Sequence, residues 1–198
     1  MLNSEYLSNL NENQREAVEC LDGPLLIVAG AGSGKTKVLT SRIAHIIKKN
    51  KAFPNQILAV TFTNKAAKEM QLRVSKLLRK DATGLPWLGT FHSISAKLLR
   101  KHADAVGLKS NFSIIDQDDQ VRLIKNICKA ENVDIKKISP KFILAVIDKW
   151  KNKGFYPQDV ILKRKDPLEK NFLSIYKIYQ EKLVNSNSAD FSDLILHT

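Results

Sequence analysis

The segment over residues 29–36, Ala-Gly-Ala-Gly-Ser-Gly-Lys-Thr, constrains the fold of this chain more than any other feature. It follows the apolar run Leu-Leu-Ile-Val over residues 25–28 and precedes a segment whose apolar residues recur at helical spacing. Glycines let successive backbone N–H groups turn toward one point, and a following helix directs its positive end at the same point. The segment therefore predicts a strand, a phosphate-binding loop and a helix, in an α/β protein with a parallel sheet.

This phosphate loop predicts a site for a nucleoside triphosphate. In such loops the lysine reaches the β- and γ-phosphates and the next hydroxyl ligates Mg²⁺, so Lys35 and Thr36 are the candidate catalytic residues and Thr36 the candidate metal ligand. Ala29 stands where the usual pattern has its first glycine, which is a mild departure. The alternative is a glycine-rich turn with a solvated lysine. The predicted nucleotide-binding residues of the loop are Ala29, Gly30, Ala31, Gly32, Ser33, Gly34, Lys35 and Thr36.

The charge and hydropathy of the chain indicate its possible partners. The 198-residue chain has a net charge of +12, with 17 basic and 8 acidic residues up to Ser110. Such a basic field attracts polyanions, most commonly nucleic acid, although the excess of 25 lysines over 7 arginines is also typical of solvated helix faces. The sequence contains neither a signal pattern nor an apolar run of about 18 residues, so we expect a cytoplasmic protein without a membrane contact. Cys20 and Cys128 are predicted to be buried, reduced thiols.

Hydrophobic periodicity indicates how the chain is organised. Asn11 and Gln14 resemble a capping box, which predicts a helix through about Leu21. The chain is predicted to divide into an α/β part over 1–110, a helical subdomain over 111–186 and a returning segment over 187–198, with a linker over 185–188. Further strands are predicted over 57–62 and 87–90, and helices over 64–80, 91–105, 118–131, 139–153 and 167–184.

Four further segments accompany the phosphate loop. They are Leu-Asn-Glu-Asn-Gln-Arg-Glu-Ala over 10–17, Thr-Phe-Thr-Asn-Lys-Ala-Ala over 61–67, Gly-Thr-Phe-His-Ser over 89–93 and Asp-Phe-Ser-Asp-Leu over 190–194. Together with the loop they closely resemble the UvrD/Rep/PcrA type of superfamily-one DNA helicase, across essentially the whole chain. The resemblance implies an incomplete RecA-like P-loop NTPase parallel sheet with an inserted or appended all-helical subdomain. It also implies an ATP- and Mg²⁺-dependent 3′-to-5′ translocase on single-stranded DNA or single/double-strand junctions, acting in DNA repair or replication.

The resemblance assigns two residues beside the loop to the nucleotide. Gln14 matches the glutamine that reads the adenine edge through its side-chain amide, with helix capping as the alternative. Arg42, on the helix after the loop, is a further nucleotide candidate, with a solvated helix arginine as the alternative.

Two segments are assigned to DNA. The first, residues 61–65, ends a predicted strand at its carboxyl edge, where open α/β sheets bind ligands. Its hydroxyls and amide suit phosphates, and its ring suits a stacked base. The second covers residues 90–93. Phe62 in the core and a structural His92 are the alternatives. The candidate DNA-binding residues are Thr61, Phe62, Thr63, Asn64, Lys65, Thr90, Phe91 and His92.

The resemblance also implies residues that this sequence does not contain. The family follows its Asp-Phe-x-Asp-Leu segment with an apolar strand ending in Asp-Glu, which holds Mg²⁺ and orients the attacking water, and a second motor domain supplies arginines. The chain ends at Thr198, before that strand. The apolar run over 112–116 ends in an acid and is the alternative magnesium strand, but Gln117 follows Asp116 where Glu is required. Gln117, Asp118 and Asp119 are instead predicted to begin a helix. We therefore expect a nucleotide half-site without its hydrolytic half. A non-catalytic nucleotide- or DNA-binding module and a helicase-nuclease subunit are the alternatives.

Overall fold

The computed structural model describes residues 5–78, 84–162 and 167–198, and the side chains of all of these except Glu5 and Pro167. The chain divides into two compact units, residues 1–94 and 95–198. This division falls within the predicted α/β part, and the assignment of 1–110, 111–186 and 187–198 to separate subdomains stays a prediction. The predicted end of one helix at Lys80 lies outside the described residues.

The first unit is built around two parallel strands and the helices beside them. Its elements are α1 (Glu5–Ser8), α2 (Glu12–Glu19), α3 (Lys35–Lys48), a 3-10 turn (Pro54–Gln56), β1 (Ala59–Thr61), α4 (Asn64–Leu78), β2 (Leu88–Thr90) and the start of α5 (Phe91–Lys101). β1 and β2 pair in parallel with Thr61 opposite Thr90, and α4 supplies the crossover that a parallel pair requires. Residues from α3, α4 and both strands, together with Leu85 just before β2, form one core cluster of this unit, namely Ile43, Ala59, Met70, Val74, Leu85 and Leu88.

The strand predicted over residues 25–28 is wrong. None of these residues belongs to a strand, and the side chains of Leu26 and Val28 are 87% and 89% exposed. A buried parallel strand is stabilised by hydrogen-bonded neighbours and by helices on both faces. Within the described parts of the chain, β1 and β2 pair only with each other, so the run over 25–28 has no ladder partner. The predicted strand over 25–28, helix α3 and the following strand therefore do not form a βαβ unit, whereas β1, α4 and β2 do.

The second unit is a bundle of helices together with a second pair of parallel strands. Its elements after α5 are a 3-10 turn (Ala103–Val106), β3 (Ser113–Ile114), α6 (Gln117–Ala130), α7 (Pro140–Lys151), α8 (Pro167–Asn185), β4 (Ser188–Ala189) and α9 (Phe191–Leu196). β3 pairs with β4, which joins the chain before the three long helices to the chain after them. The core between α6, α7 and α8 includes Ile124, Ile127, Ile143, Ile147, Ile175, Tyr176 and Tyr179. The linker predicted over 185–188 is wrong, because α8 continues through Asn185 and Ser188 is buried in β4.

Local capping signals account for several helix starts. Asn11 and Gln14 form the predicted capping box of α2, and Ser139 caps α7 ahead of Pro140. The Asp116 carboxylate accepts a hydrogen bond from the Asp119 N–H, which confirms that the run over 112–116 leads into a helix start. Polar caps of this kind satisfy backbone groups that a helix end leaves unpaired, so they are readable from short sequence patterns.

The two cysteines differ in burial. Cys128 is fully buried as predicted, and burial raises the pKa of its thiol. Cys20 is exposed, so the prediction of burial is wrong there. The reason is that α2 ends at Glu19, and Val18 is the helix residue that reaches the core.

Candidate functional site

The phosphate loop lies immediately before α3 and has an open face. Gly32 and Gly34 adopt φ angles of +76° and +86°, in the left-handed region that glycine favours. A Cβ added at Gly30 or Gly32 would meet no atom within 4 Å. The loop therefore has the backbone conformation and the free space that a phosphate-binding turn requires.

Hydrogen bonds within the loop hold this conformation. The Lys35 ammonium donates to the carbonyl oxygens of Ala29 and Gly30 at 3.0 and 2.6 Å. The Ser33 hydroxyl donates to the Gly30 oxygen at 2.7 Å. Because phosphate oxygens are charged acceptors, they would compete well for an ammonium that here bonds neutral carbonyls.

Thr36 is exposed in the first turn of α3, as a loop hydroxyl that ligates a metal must be. Mg²⁺ prefers hard oxygen ligands and keeps several waters, often sharing one or two protein oxygens with substrate phosphates. Among the described residues, no group of three or more His, Cys, Asp or Glu is arranged to hold a metal ion. The residues present fit a Mg²⁺ that the Thr36 hydroxyl would hold together with phosphate and water oxygens.

Gln14 contacts the loop directly, which the sequence pattern did not predict. Its Nε2 donates to the Ser33 carbonyl oxygen at 3.0 Å, while its Oε1 accepts from the Asn11 N–H at 3.2 Å. The side chain therefore caps α2 and reaches the phosphate loop at the same time. Its predicted contact with adenine stays a prediction.

Arg42 bonds to helix α2 instead of projecting from α3 into solvent. Its guanidinium donates to the Ala17 carbonyl oxygen at 2.8 Å and also to the Cys20 carbonyl oxygen. These carbonyls lie at the C-terminal end of α2, where a cation is favourable. Arg42 thus joins α2 to α3, and its predicted approach to the nucleotide stays a prediction.

An exposed aromatic pair lies at the carboxyl ends of β1 and β2. Phe62 follows β1 and is 89% exposed, while Phe91 follows β2 and is 42% exposed. Their ring centroids are 5.4 Å apart with the planes tilted by 47°. The alternative that Phe62 belongs to the core is therefore wrong. Two neighbouring rings facing solvent offer a surface on which a planar base can stack.

The polar candidates around this pair differ in what they already bond. The Thr63 hydroxyl accepts from the Ala66 N–H at 3.1 Å and so caps α4. Thr90 is 8% exposed, and its hydroxyl accepts from the Ser93 N–H at 3.2 Å at the start of α5. Thr61 is half-buried at the end of β1. Asn64, Lys65 and His92 are exposed in the first turns of α4 and α5. The DNA contacts of all these residues stay predictions.

Sequence reasoning missed a buried charge cluster in the second unit. The Lys151 ammonium lies 2.7 Å from carboxylate oxygens of both Asp190 and Asp193, and all three side chains are 0% exposed. The Tyr179 hydroxyl donates to Asp190 at 2.9 Å, and burial raises its pKa above the usual value. The cluster joins α7 and α8 to the segment over 190–194. The signal available in the sequence was the spacing of Asp190 and Asp193, which form the capping box of α9.

Known proteins and one family model match this chain over nearly its whole length. The family model described as UvrD/REP helicase N-terminal domain matches residues 10–198. A probable DNA helicase II homolog of Rickettsia conorii is 47% identical over 200 residues, covering 100% of this chain and 30% of the relative. The ATP-dependent DNA helicase PcrA of Staphylococcus epidermidis is 44% identical over 192 residues, covering 97% of this chain and 26% of the relative.

These relatives are much longer than this chain, which spans 26–30% of their length. In the part of the chain that the structure describes, the helices are too short or too polar to cross a membrane. The match over residues 10–198 and the identity across nearly the whole chain agree with the mixed α/β architecture and its short parallel sheets. The chain therefore belongs to the UvrD/REP helicase family and corresponds to its N-terminal domain.

Proposed function

We propose that the chain is the amino-terminal ATP-binding part of an ATP-dependent DNA helicase that moves 3′ to 5′ along single-stranded DNA. The names of the relatives support ATP-dependent DNA unwinding by the parent protein. The direction of movement and a role in DNA repair or replication are carried by the family resemblance. The proposal includes a RecA-like motor sheet over 1–110, with 111–186 inserted into it and 187–198 returning toward it.

The phosphate loop is the observation that carries this proposal. Gly32 and Gly34 adopt left-handed φ angles, and the space above Gly30 and Gly32 is open. The Lys35 ammonium bonds the carbonyl oxygens of Ala29 and Gly30 in the loop. Entry of the triphosphate would transfer the Lys35 ammonium from neutral carbonyls to charged phosphate oxygens, which form stronger hydrogen bonds. The start of α3 would add its backbone N–H groups to the same phosphates.

The aromatic pair supports single-stranded DNA as the track. Stacking on Phe62 and Phe91 accepts every base, because each base has a π-face, so it suits a protein that moves along any sequence. The amino-terminal turns of α4 and α5 begin beside the two rings and favour the negative charge of the DNA phosphates. Unwinding at a single/double-strand junction would bring the freed strand over this edge.

Hydrolysis belongs to the parent protein in this proposal. Phosphoryl transfer requires an acid that orients the attacking water and cations that stabilise the transferring phosphoryl group. The family places these groups after the segment over 190–194 and on a second motor domain. Closure of the two domains around ATP and their reopening would alternate their hold on DNA. The described residues thus form one side of the active site.

Equilibrium binding of ATP in the presence of Mg²⁺ tests the nucleotide site. Lys35→Ala removes the ammonium that would bond the phosphates, so we expect its affinity for ATP to fall by at least about ten-fold. Lys49→Ala is the matched control, because Lys49 is exposed at the other end of α3. Equal ATP affinity of the Lys35→Ala variant and the unmodified chain would contradict the proposal.

The same preparations test whether hydrolysis needs the rest of the parent. We expect the 198-residue chain to bind ATP without DNA-stimulated turnover, measured as phosphate release with and without single-stranded DNA. Turnover that DNA stimulates and Lys35→Ala abolishes would show that the chain holds a complete hydrolytic site. In that case the prediction of a half-site without hydrolytic residues would be wrong, while the assignment of the loop to ATP would stand.

A further inference from the structure

We propose that Gln14 positions the phosphate loop and supports binding of the polyphosphate itself, separately from any contact with a base. The inference rests on the proposed nucleotide site and adds a role for one residue within it. The residue acts through the loop backbone, so it is a positioning residue.

The first observation is the bond between the Gln14 side chain and the loop. Gln14 Nε2 donates to the Ser33 carbonyl oxygen at 3.0 Å, across 19 positions of sequence. The other loop bonds involving Ser33 and Lys35 begin and end within the loop itself. The bond from Gln14 therefore ties the loop to a separate helix, and it fixes the peptide plane between Ser33 and Gly34.

The second observation is the space above Gly34. A Cβ placed on Gly34 would lie 2.8 Å from Gln14 Nε2, closer than real Cβ contacts allow. Gly34 also has a φ of +86°, which a side chain would strain. The Gln14 amide thus occupies the space that the glycine leaves open. Two neighbouring residues, Ser33 and Gly34, are fitted to the same side chain.

The third observation is that Gln14 projects from a well-supported helix. Arg42 bonds the carbonyl oxygens of Ala17 and Cys20 at the end of α2, and the fully buried Val18 packs with Val38 of α3. The Asn11 N–H donates to Gln14 Oε1 and limits rotation of the amide. A side chain held at both its oxygen and its helix can hold the loop in one conformation.

Loop support leaves the amide free to read a base as well. A glutamine amide has two N–H donors and an oxygen with two lone pairs. One donor goes to Ser33 and one lone pair to Asn11, which leaves one donor and one lone pair. Adenine recognition and loop positioning are therefore compatible, and ligands with and without a base separate the two roles.

Binding of ATP and of inorganic tripolyphosphate to the 198-residue chain provides the test. If Gln14 positions the loop, Gln14→Ala lowers the affinity for tripolyphosphate by about five-fold, the size of one neutral hydrogen bond, and lowers the affinity for ATP at least as much. Asn11→Ala is the matched control, because it removes the cap of α2 and leaves the bond between Gln14 and Ser33. We expect Asn11→Ala to bind tripolyphosphate as the unmodified chain does.

An unchanged tripolyphosphate affinity in Gln14→Ala, together with weaker ATP binding, would overturn the proposal and leave Gln14 as a reader of the base alone. An equal loss in Asn11→Ala and Gln14→Ala would also overturn it, since the effect would then come from the stability of α2.

Amide hydrogen exchange of the ligand-free chain gives a second readout, which does not depend on nucleotide binding. We expect faster exchange over residues 29–36 in Gln14→Ala and unchanged exchange there in Asn11→Ala, because losing the bond to Ser33 raises the population of open loop. Unchanged exchange in Gln14→Ala would overturn the loop role. Tight ATP binding by Lys35→Ala, in contrast, would contradict the proposed nucleotide site and leave the exchange result to decide the role of Gln14.

Discussion

At the scale of single residues, Phe62 is the side chain whose exposure most needs an explanation. An aromatic ring that is 89% exposed gains little from hydrophobic burial within its own unit, and it lies 5.4 Å from a second exposed ring. Stacking of a nucleic-acid base would remove this apolar surface from water. The proposed contact with DNA would account for both the position and the exposure of Phe62.

Replacing Phe62 with alanine should weaken binding of single-stranded DNA. Base stacking contributes about 1–3 kcal/mol, so we expect the dissociation constant for an oligo-dT strand to rise by about ten-fold. Fluorescence anisotropy of a labelled strand measures the change. Phe53→Ala is the matched control, because Phe53 is 73% exposed and lies outside the two strand ends. Similar affinities of the two variants would contradict a stacking role for Phe62.

Contacts between residues close in sequence were predictable, whereas contacts between residues far apart in sequence were not. The cap of Asn11 on Gln14 spans 3 positions and follows from the residue types alone. The bond from Gln14 to Ser33 spans 19 positions and that from Lys151 to Asp193 spans 42, so both depend on how elements pack. Residue type indicated that Thr90 could bind phosphate. Its burial and its bond with Ser93 became apparent only in the structure.

At the scale of elements, the buried lysine explains how α9 is held against α7 and α8. Lys151 closes α7, and its ammonium bonds Asp190 and Asp193 at the start of α9. Tyr179 and Gln180 of α8 donate to the same two carboxylates. Apart from Gln180 Oε1, which is buried without a hydrogen-bond partner, the polar side-chain groups named here bond neighbours from other elements. Loss of one therefore leaves the others buried without a partner.

Lys151→Met tests this dependence. Removing one partner of a buried charge cluster leaves uncompensated carboxylates, so we expect the free energy of unfolding to fall by about 3–5 kcal/mol. Urea denaturation of each variant measures the loss. Lys149→Met is the matched control, because Lys149 lies exposed on the same helix. Adding Asp190→Asn and Asp193→Asn to Lys151→Met should recover part of the loss. A Lys151→Met variant as stable as the control would contradict the account.

Helices were more predictable than strands for a physical reason. A helix satisfies its backbone within one segment, so periodicity and caps predicted α2, α6, α7 and α8 close to their observed bounds. A strand depends on partners elsewhere in the chain. The apolar run over 25–28 has the composition of a buried strand, but no described segment pairs with it. The composition of this run suits a strand in a sheet, but composition cannot show which other strands pair with it.

At the scale of the whole molecule, charge is distributed in a way that suits a nucleic-acid partner. The chain carries a net charge of +12, and its basic excess lies mainly before residue 111. Both the phosphate loop and the aromatic pair lie in that part of the sequence. Long-range attraction of this kind raises the rate of encounter with a polyanion without selecting a sequence. Binding of DNA should therefore be weak, independent of base sequence and sensitive to salt.

The salt dependence of DNA binding tests this view and the place of Lys65 within it. Each phosphate neutralised on a single strand adds about −0.7 to the slope of log K against log salt. We expect a negative slope for an oligo-dT strand, and we expect Lys65→Ala to make it less steep by about 0.7 if Lys65 neutralises one phosphate. Lys177→Ala is the matched control, since Lys177 is exposed on α8 in the other unit. A flat dependence for the unmodified chain would contradict the electrostatic account, whereas equal slopes for the two variants would remove Lys65 alone from the DNA contact.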